Sequence, residues 1–107
     1  MFVDRTVSPT YTLDIARATR AVIEGGMPAG VYHCVNAGAA RWPGIAEEAA
    51  RLLRLPLRMK ALTLETANLA APRPRYCALS PAKLAAAGIV MPTWQDALGR
   101  YLAIPNP

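Results

Sequence analysis

The amphipathic stretch between Thr12 and Gly25 has the clearest period in the chain, and it constrains the fold most. Apolar and charged side chains separate onto two faces at helical spacing, with Ile15, Ala18 and Val22 on one face and Arg17, Arg20 and Glu24 on the other. Thr12 is a residue type that caps helix N-termini, and the Gly25-Gly26 pair is a common helix stop. This pattern predicts an α-helix over residues 13–24.

The positions of prolines, capping residues and periodic apolar residues predict three further helices. One begins at about Trp42 with Pro43 in its first turn and ends before Pro56. A short one follows Ser80-Pro81 and ends at Gly88. The last begins at Thr93, where Asp96 stands three residues later in an arrangement similar to a capping box.

Three short apolar or alternating runs predict strands. They are Phe2–Asp4, Gly30–Val35, which is apolar on both faces, and Leu57–Leu62, which alternates apolar and basic residues. Residues 65–79 carry prolines without a period, and this favours a loop. The element order predicts an α/β fold with about three strands and four helices, too few strands for an independent doubly wound sheet.

Size and composition indicate one folded domain over residues 1–107. Hydrophobic residues make up 53% of the chain, which excludes a disordered protein, and no apolar run is suited to a membrane span. The N-terminus shows no signal-peptide pattern, so we expect a cytoplasmic protein. The net charge of +5 is concentrated in residues 51–107. This favours an anionic partner, a phosphate or a nucleic acid, unless it only reflects an arginine-rich composition.

Several kinds of chemistry have no matching motif in these residues. The seven glycines include no G-x-G pair, so no dinucleotide loop is present, and no tyrosine is followed four positions later by lysine. His33 is the only histidine, which leaves too few ligands for zinc, and we interpret it as a structural residue of a buried strand. Cys34 and Cys77 are expected to be reduced, mostly buried thiols. We therefore expect no cofactor, metal or catalytic residue in the chain.

Arg73 and Arg75 flank Pro74 in a stiff Ala-Pro-Arg-Pro-Arg segment. A guanidinium held in such a loop can make a bidentate contact with phosphate oxygens. The alternative is two solvated arginines, and composition alone favours that alternative.

Five segments, in order, resemble dTDP-4-dehydrorhamnose reductases of the extended short-chain dehydrogenase/reductase superfamily. They are DRTVSPTYTLDIARATR at residues 4–20, GVYHCVNAG at 30–38, the helix start at Trp42, RPRYCALSPAKL at 73–84, and WQDAL at 94–98. No single segment is specific, but the series covers nearly the whole chain.

This resemblance implies a C-terminal, substrate-binding part without its Rossmann domain. In that family the Rossmann half binds NADPH and carries the catalytic Tyr and Lys, and the smaller part closes over a nucleotide-sugar. The family reaction reduces the C4 keto group of dTDP-4-dehydro-L-rhamnose. By resemblance Arg73 would hold the nucleotide diphosphate, with Arg75 and Trp42 as further substrate-binding residues. NADPH would belong only to a missing Rossmann half, so the chain alone is expected to be inactive.

Four positions depart from the family pattern. Arg5 stands for Gln, Val7 for Gly, Arg41 for a hydroxyl residue and Cys77 for Ser. Two hypotheses follow. The first is a dTDP-sugar-binding enzyme part whose partner is a Rossmann-half polypeptide; the second is a stand-alone, homo-oligomeric interaction module without activity. Nucleic-acid binding is a weaker third, because it rests on charge alone.

Overall fold

The fold of the computed structural model, which describes residues 2–104, is mostly helical. Five helices and two very short strands follow one another: β1 (Thr6–Val7), α1 (Thr12–Glu24), β2 (Ala40–Arg41), α2 (Trp42–Leu53), α3 (Leu64–Ala67), α4 (Ala82–Ala86) and α5 (Trp94–Leu102).

The helices predicted from the sequence form close to their predicted positions. α1 ends at Gly25 as expected, although Tyr11 rather than Thr12 is its N-cap. Arg20 and Glu24, which lie four residues apart on the charged face, form an ion pair with 2.9 Å between Nε and Oε1. At α5 the Thr93 hydroxyl accepts the amide of Asp96, so the predicted cap is confirmed. Local signals therefore account for most of the helical structure.

The two strands bring distant parts of the chain together. β1 pairs antiparallel with β2, with Thr6 opposite Arg41 and Val7 opposite Ala40. On its other side, Thr6 forms a parallel bridge with Tyr76. β1 therefore lies between the start of α2 and the segment that follows the Arg-Pro loop.

The prediction of an α/β fold with about three strands and four helices is confirmed only in part, because residues 2–104 form a small, mostly helical domain with two short strands. Residues 30–35 form no strand, and Val31 and His33 are exposed, so His33 is not a residue of a buried strand. The other two predicted strands meet only at a single parallel bridge between Phe2 and Leu62. Strands are stabilised by their neighbours rather than by local preference, and within residues 2–104 these runs have almost no partner.

The prediction of four helices, with a loop over residues 65–79, missed α3. This one-turn helix is capped by Thr63, whose hydroxyl accepts the amide of Thr66. Thr66 in turn bonds the Thr63 amide, which completes a capping box with threonine at a position where glutamate or glutamine is usual. The unusual residue explains why the sequence signal was missed.

The buried core is small for a chain of this length. Ala18, Leu84 and Met91 form a cluster, and Trp94 and Ala97 are also buried. The radius of gyration is 16.0 Å, whereas a compact domain of this size has about 13 Å. The molecule is therefore extended and leaves many large apolar side chains in contact with solvent.

Gly38 is a position where only glycine fits. Its φ is +95°, and an added Cβ would lie 3.0 Å from Cδ1 of Trp94. We expect Gly38→Ala to lower the free energy of unfolding by about 2 kcal/mol, measured by chemical denaturation. The control is Gly44→Ala in α2, where an added Cβ meets no atom within 4 Å and alanine should stabilise the helix by up to about 1 kcal/mol. Equal stability of the two variants would contradict this expectation.

Candidate functional site

A pocket of about 340 Å³ lies between α3 and the Arg-Pro loop. The Arg-Pro loop contributes two basic side chains to its lining, and α3 with the residue after it contributes a carboxylate and an amide. The lining residues are Leu64, Glu65, Asn68, Leu69, Ala71, Pro72, Arg73 and Arg75. The pocket therefore contains two of the three residues that the sequence predicted to bind substrate.

Arg73 is the less restrained of the two pocket arginines. It is exposed, and its side chain makes no hydrogen bond or ion pair with any residue between 2 and 104. Arg75 is partly engaged, since its Nε lies 3.8 Å from the Asp4 carboxylate. An anionic ligand would meet one free guanidinium and one that is already close to a carboxylate.

The N-terminal segment holds the Arg-Pro loop in place. The Thr6 amide donates to the Arg75 carbonyl at 2.7 Å, and the Cys77 amide donates to the Thr6 carbonyl at 2.9 Å. Arg5 donates from Nε to the Pro74 carbonyl at 3.2 Å and from Nη2 to the Cys77 sulfur at 3.5 Å. The loop that carries Arg73 is thus fixed by tertiary contacts as well as by its prolines.

The Asp4 carboxylate holds the start of α3, which also lines the pocket. Both of its oxygens accept the Leu64 amide at the start of α3, each at 3.1 Å. Asp4 therefore joins the start of α3 to Arg75, and the two walls of the pocket share one anchor.

Trp42 does not line this pocket. It begins α2, directly after Arg41, and is 40% exposed. Arg41 and Tyr76 lie on opposite sides of Thr6, which places their backbones about 10 Å apart at the usual strand spacing. Trp42 and the Arg-Pro loop therefore lie on either side of β1. Arg41, which stands where the family has a hydroxyl residue, makes no side-chain cap for α2.

A buried polar cluster was not predicted from the sequence. Asp14 is only 4% exposed, and its carboxylate oxygens accept hydrogen bonds from Nη1 and Nη2 of Arg100 at 2.9 and 2.6 Å. It also accepts Nδ2 of Asn36 at 2.8 Å, and Asn36 is fully buried. The hydrogen bonds from Arg100 hold the pKa of the Asp14 carboxyl below its ordinary value. This cluster joins α1, the segment around residue 36 and α5.

The sequence contains the residues of this cluster, but each of them has another interpretation from its local position. Asp14 lies in the first turn of α1, where the helix dipole favours an acid, and Asn36 directly follows the predicted strand at residues 30–35. Arg100 stands four residues after Asp96, with which it also pairs at 2.8 Å. A sequence does not reveal which of these charges is buried, because the partners are far apart along the chain.

Other candidate chemistries find no support in the part of the chain that is described. Residues 2–104 hold no group of three or more side chains suited to a metal ion. Cys34 and Cys77 are free and half-buried, and burial raises the pKa of Cys34. None of the helices within these residues combines the length and apolarity needed to cross a bilayer.

Comparison with known proteins bears on this arrangement. Residues 1–105 match the family model described as the RmlD substrate binding domain. The chain belongs to this family. The resemblance to dTDP-4-dehydrorhamnose reductases that the sequence motifs indicated is therefore confirmed.

Individual relatives agree with this family. A dTDP-4-dehydrorhamnose reductase of Streptomyces griseus is 36% identical over 101 residues, which cover 89% of this chain and 33% of that protein. The spore coat polysaccharide biosynthesis protein SpsK of Bacillus subtilis is 34% identical, covering 92% of this chain and 34% of the relative. The chain thus spans about a third of these relatives and corresponds to the substrate-binding region of dTDP-4-dehydrorhamnose reductase.

The fold agrees as well. The crystal structure of dTDP-4-dehydrorhamnose reductase from Bacillus anthracis str. Ames in complex with NADP superposes with a TM-score of 0.85 at 26% identity. The superposition covers 94% of this chain and 36% of that structure. That structure contains NADP, a cofactor for which this chain has no glycine-rich loop.

Proposed function

We propose that this chain provides the dTDP-sugar-binding wall of an NADPH-dependent reductase related to dTDP-4-dehydrorhamnose reductase. Arg73 would contact the diphosphate, Arg75 would give a second contact, and Trp42 would border the substrate from the other side of β1. We assign no catalytic role to any residue of the chain. Hydride and proton transfer would belong to a Rossmann half that acts as its partner.

The pocket at the Arg-Pro loop carries this proposal. Arg73 presents a guanidinium without a protein partner within residues 2–104 to a pocket of about 340 Å³. One proline on each side, Pro72 and Pro74, restricts the backbone at this position. Less conformational entropy is therefore lost when the side chain binds an anion. A guanidinium is suited to phosphate because its planar donors match two oxygens at once.

The same pocket also suits the rest of a nucleotide-sugar. Glu65 and Asn68 line the same pocket as the two arginines. A carboxylate accepts hydrogen bonds from hydroxyl groups, and an amide can both accept and donate them, whereas a carboxylate repels phosphate. A diphosphate joined to a sugar with hydroxyl groups fits this set of side chains.

NADPH does not fit the residues that are present. The chain has no G-x-G-x-x-G loop to hold a pyrophosphate and no Tyr-x-x-x-Lys pair. The cofactor therefore enters the proposal only as a ligand of the Rossmann half, and no step of the reaction is assigned to these 107 residues.

Substitution of the free arginine tests the proposed site. We expect Arg73→Ala to weaken the binding of dTDP by about tenfold to a hundredfold, because a charge-assisted contact with the diphosphate is lost. Isothermal titration of dTDP into the folded chain measures this change.

A matched variant separates this effect from a change in net charge. Arg58 is also exposed and does not line the pocket. Arg58→Ala removes the same charge and should leave the affinity within about twofold, since an exposed charge outside the pocket lining is screened by salt. Equal affinity of Arg73→Ala and the unaltered chain would refute the proposed role of Arg73.

A second candidate function, a self-associating interaction module, is favoured by one observation. Every residue from 51 to 61 is exposed, and this segment carries five large apolar side chains: Leu52, Leu53, Leu55, Leu57 and Met59. This segment therefore offers an exposed apolar surface for association. Two copies could cover these side chains by pairing.

Light scattering tests the association. We expect the isolated chain to have a mass of at least twice its 11.5 kDa. Replacement of both Leu55 and Leu57 by Lys should give the monomer mass, because two charges in an apolar contact prevent pairing. A monomer mass for the unaltered chain would contradict the hypothesis.

A further inference from the structure

We propose that Arg5 is a positioning residue that sets the direction of Arg73 by holding the Pro74 carbonyl. The inference rests on the proposed function in one respect, since it assumes that Arg73 is the residue that meets the ligand. Arg5 itself does not line the pocket. It would act on affinity only through the loop.

The contacts of Arg5 all fall on the loop and on the segment that follows it. Its Nε donates to the Pro74 carbonyl at 3.2 Å, and its Nη2 donates to the Cys77 sulfur at 3.5 Å. The two contacts join positions 69 and 72 residues away along the chain. Arg5 is half-buried; its hydrogen bond to the Pro74 carbonyl is exposed, and its contact with the Cys77 sulfur is partly buried.

Arg73 depends on this contact because nothing else fixes it locally. Its side chain has no partner among residues 2–104. The peptide units on either side of it involve Pro72 and Pro74, and proline has no amide hydrogen, so neither proline can donate a backbone hydrogen bond. Within residues 2–104, the recorded hydrogen bond nearest in sequence to Arg73 is the one that the Pro74 carbonyl accepts from Arg5.

The neighbouring contacts hold the loop only from Arg75 onward. Thr6 bonds the Arg75 carbonyl and the Cys77 amide. Asp4 approaches Arg75 at 3.8 Å. These contacts should keep residues 75–77 in place when Arg5 is replaced, so the expected change is confined to residues 73 and 74.

The chemistry of the side chain gives a specific test. Glutamine carries an amide that can donate to the Pro74 carbonyl without a charge, whereas methionine has a similar length and no donor. If Arg5 acts by positioning, Arg5→Gln should bind dTDP within about twofold of the unaltered chain, and Arg5→Met should bind about tenfold more weakly. In the Arg73→Ala background, Arg5→Met should cause no further loss.

A direct role of Arg5 in anion binding gives different results. Arg5→Gln would then weaken binding as much as Arg5→Met, and the loss would add to that of Arg73→Ala. Either result would overturn the proposal.

A second measurement does not depend on the ligand. ¹⁵N relaxation should give order parameters of about 0.85 for the amides of Arg73 and Arg75, both in the unaltered chain and in Arg5→Gln. In Arg5→Met the Arg73 amide should fall below about 0.6, while the Cys77 amide stays rigid. An unchanged Arg73 order parameter in Arg5→Met would overturn the proposal, whether or not dTDP binds. If the order parameter changes but dTDP does not bind, the result counts only against the proposed function.

Discussion

Asp14→Ala is expected to lower the free energy of unfolding by about 3 kcal/mol, because it leaves Arg100 and Asn36 without their shared acceptor. Asp14 is 4% exposed and accepts three hydrogen bonds from these two side chains. Domains are stable by only about 5–15 kcal/mol, so this loss is a large part of the total. Urea denaturation followed by circular dichroism measures it.

The control uses the other acid that binds the same arginine. Asp96 pairs with Arg100 at 2.8 Å, but its side chain is 58% exposed. Asp96→Ala should cost less than about 1 kcal/mol, since exposed ion pairs contribute little. A similar loss in both variants would contradict the view that burial makes the Asp14 contact strong.

Low pH should reduce the difference between the unaltered chain and Asp14→Ala. The Arg100 hydrogen bonds lower the pKa of Asp14 in the folded state, so the stabilisation is complete above the ordinary carboxyl pKa of about 4. It is lost as the pH falls through the lowered folded value. A difference that stays constant from pH 7 to the acid limit of folding would contradict this assignment.

Leu84→Ala is expected to lower the free energy of unfolding by about 3 kcal/mol. Leu84 is fully buried and forms the core cluster with Ala18 and Met91. Truncation removes buried apolar surface and leaves a cavity. Because the core has few residues, few neighbouring side chains can move to fill this cavity. Thermal and urea denaturation measure the loss.

A leucine on the surface provides the comparison. Leu55 is 60% exposed, so Leu55→Ala should change the free energy of unfolding by no more than about 0.5 kcal/mol. If Leu84→Ala were no more harmful than Leu55→Ala, the cluster around α4 would not be the core.

The helices could be predicted because their signals are local. The amphipathic period before Gly25 and the Thr93 cap act within one or two turns, and both appear in the structure. The short helix near residue 82 also forms, one residue later than its Ser80-Pro81 start suggested. Such signals need no knowledge of the rest of the fold.

The strands could not be predicted because their pairing is not local. β1 is only two residues long, and its partners Arg41 and Tyr76 are far away in sequence. The run at residues 30–35 has strand composition but no neighbouring strand within residues 2–104. Its contacts are side-chain ones instead: Lys83 Nζ donates to the Val31 carbonyl, and the Tyr32 hydroxyl donates to the Pro28 carbonyl.

The candidate site shows the same division. The prolines around Arg73 and the family motif were readable from the sequence, and the structure places Arg73 and Arg75 at one pocket. The sequence could not show that Arg5 and Asp4 hold this pocket together, because those contacts span about sixty residues or more. Arg5 was noticed only as a departure from the family pattern.

The most direct measurement for the central claim is a map of amide chemical shifts during a titration with dTDP. If the Arg-Pro loop and α3 form the phosphate-bearing wall of the site, the changes should cluster in residues 64–75 and saturate. Changes confined to another part of a folded chain, such as the apolar pocket that Trp94 and Tyr101 line, would contradict the account. So would the absence of any change at saturating dTDP.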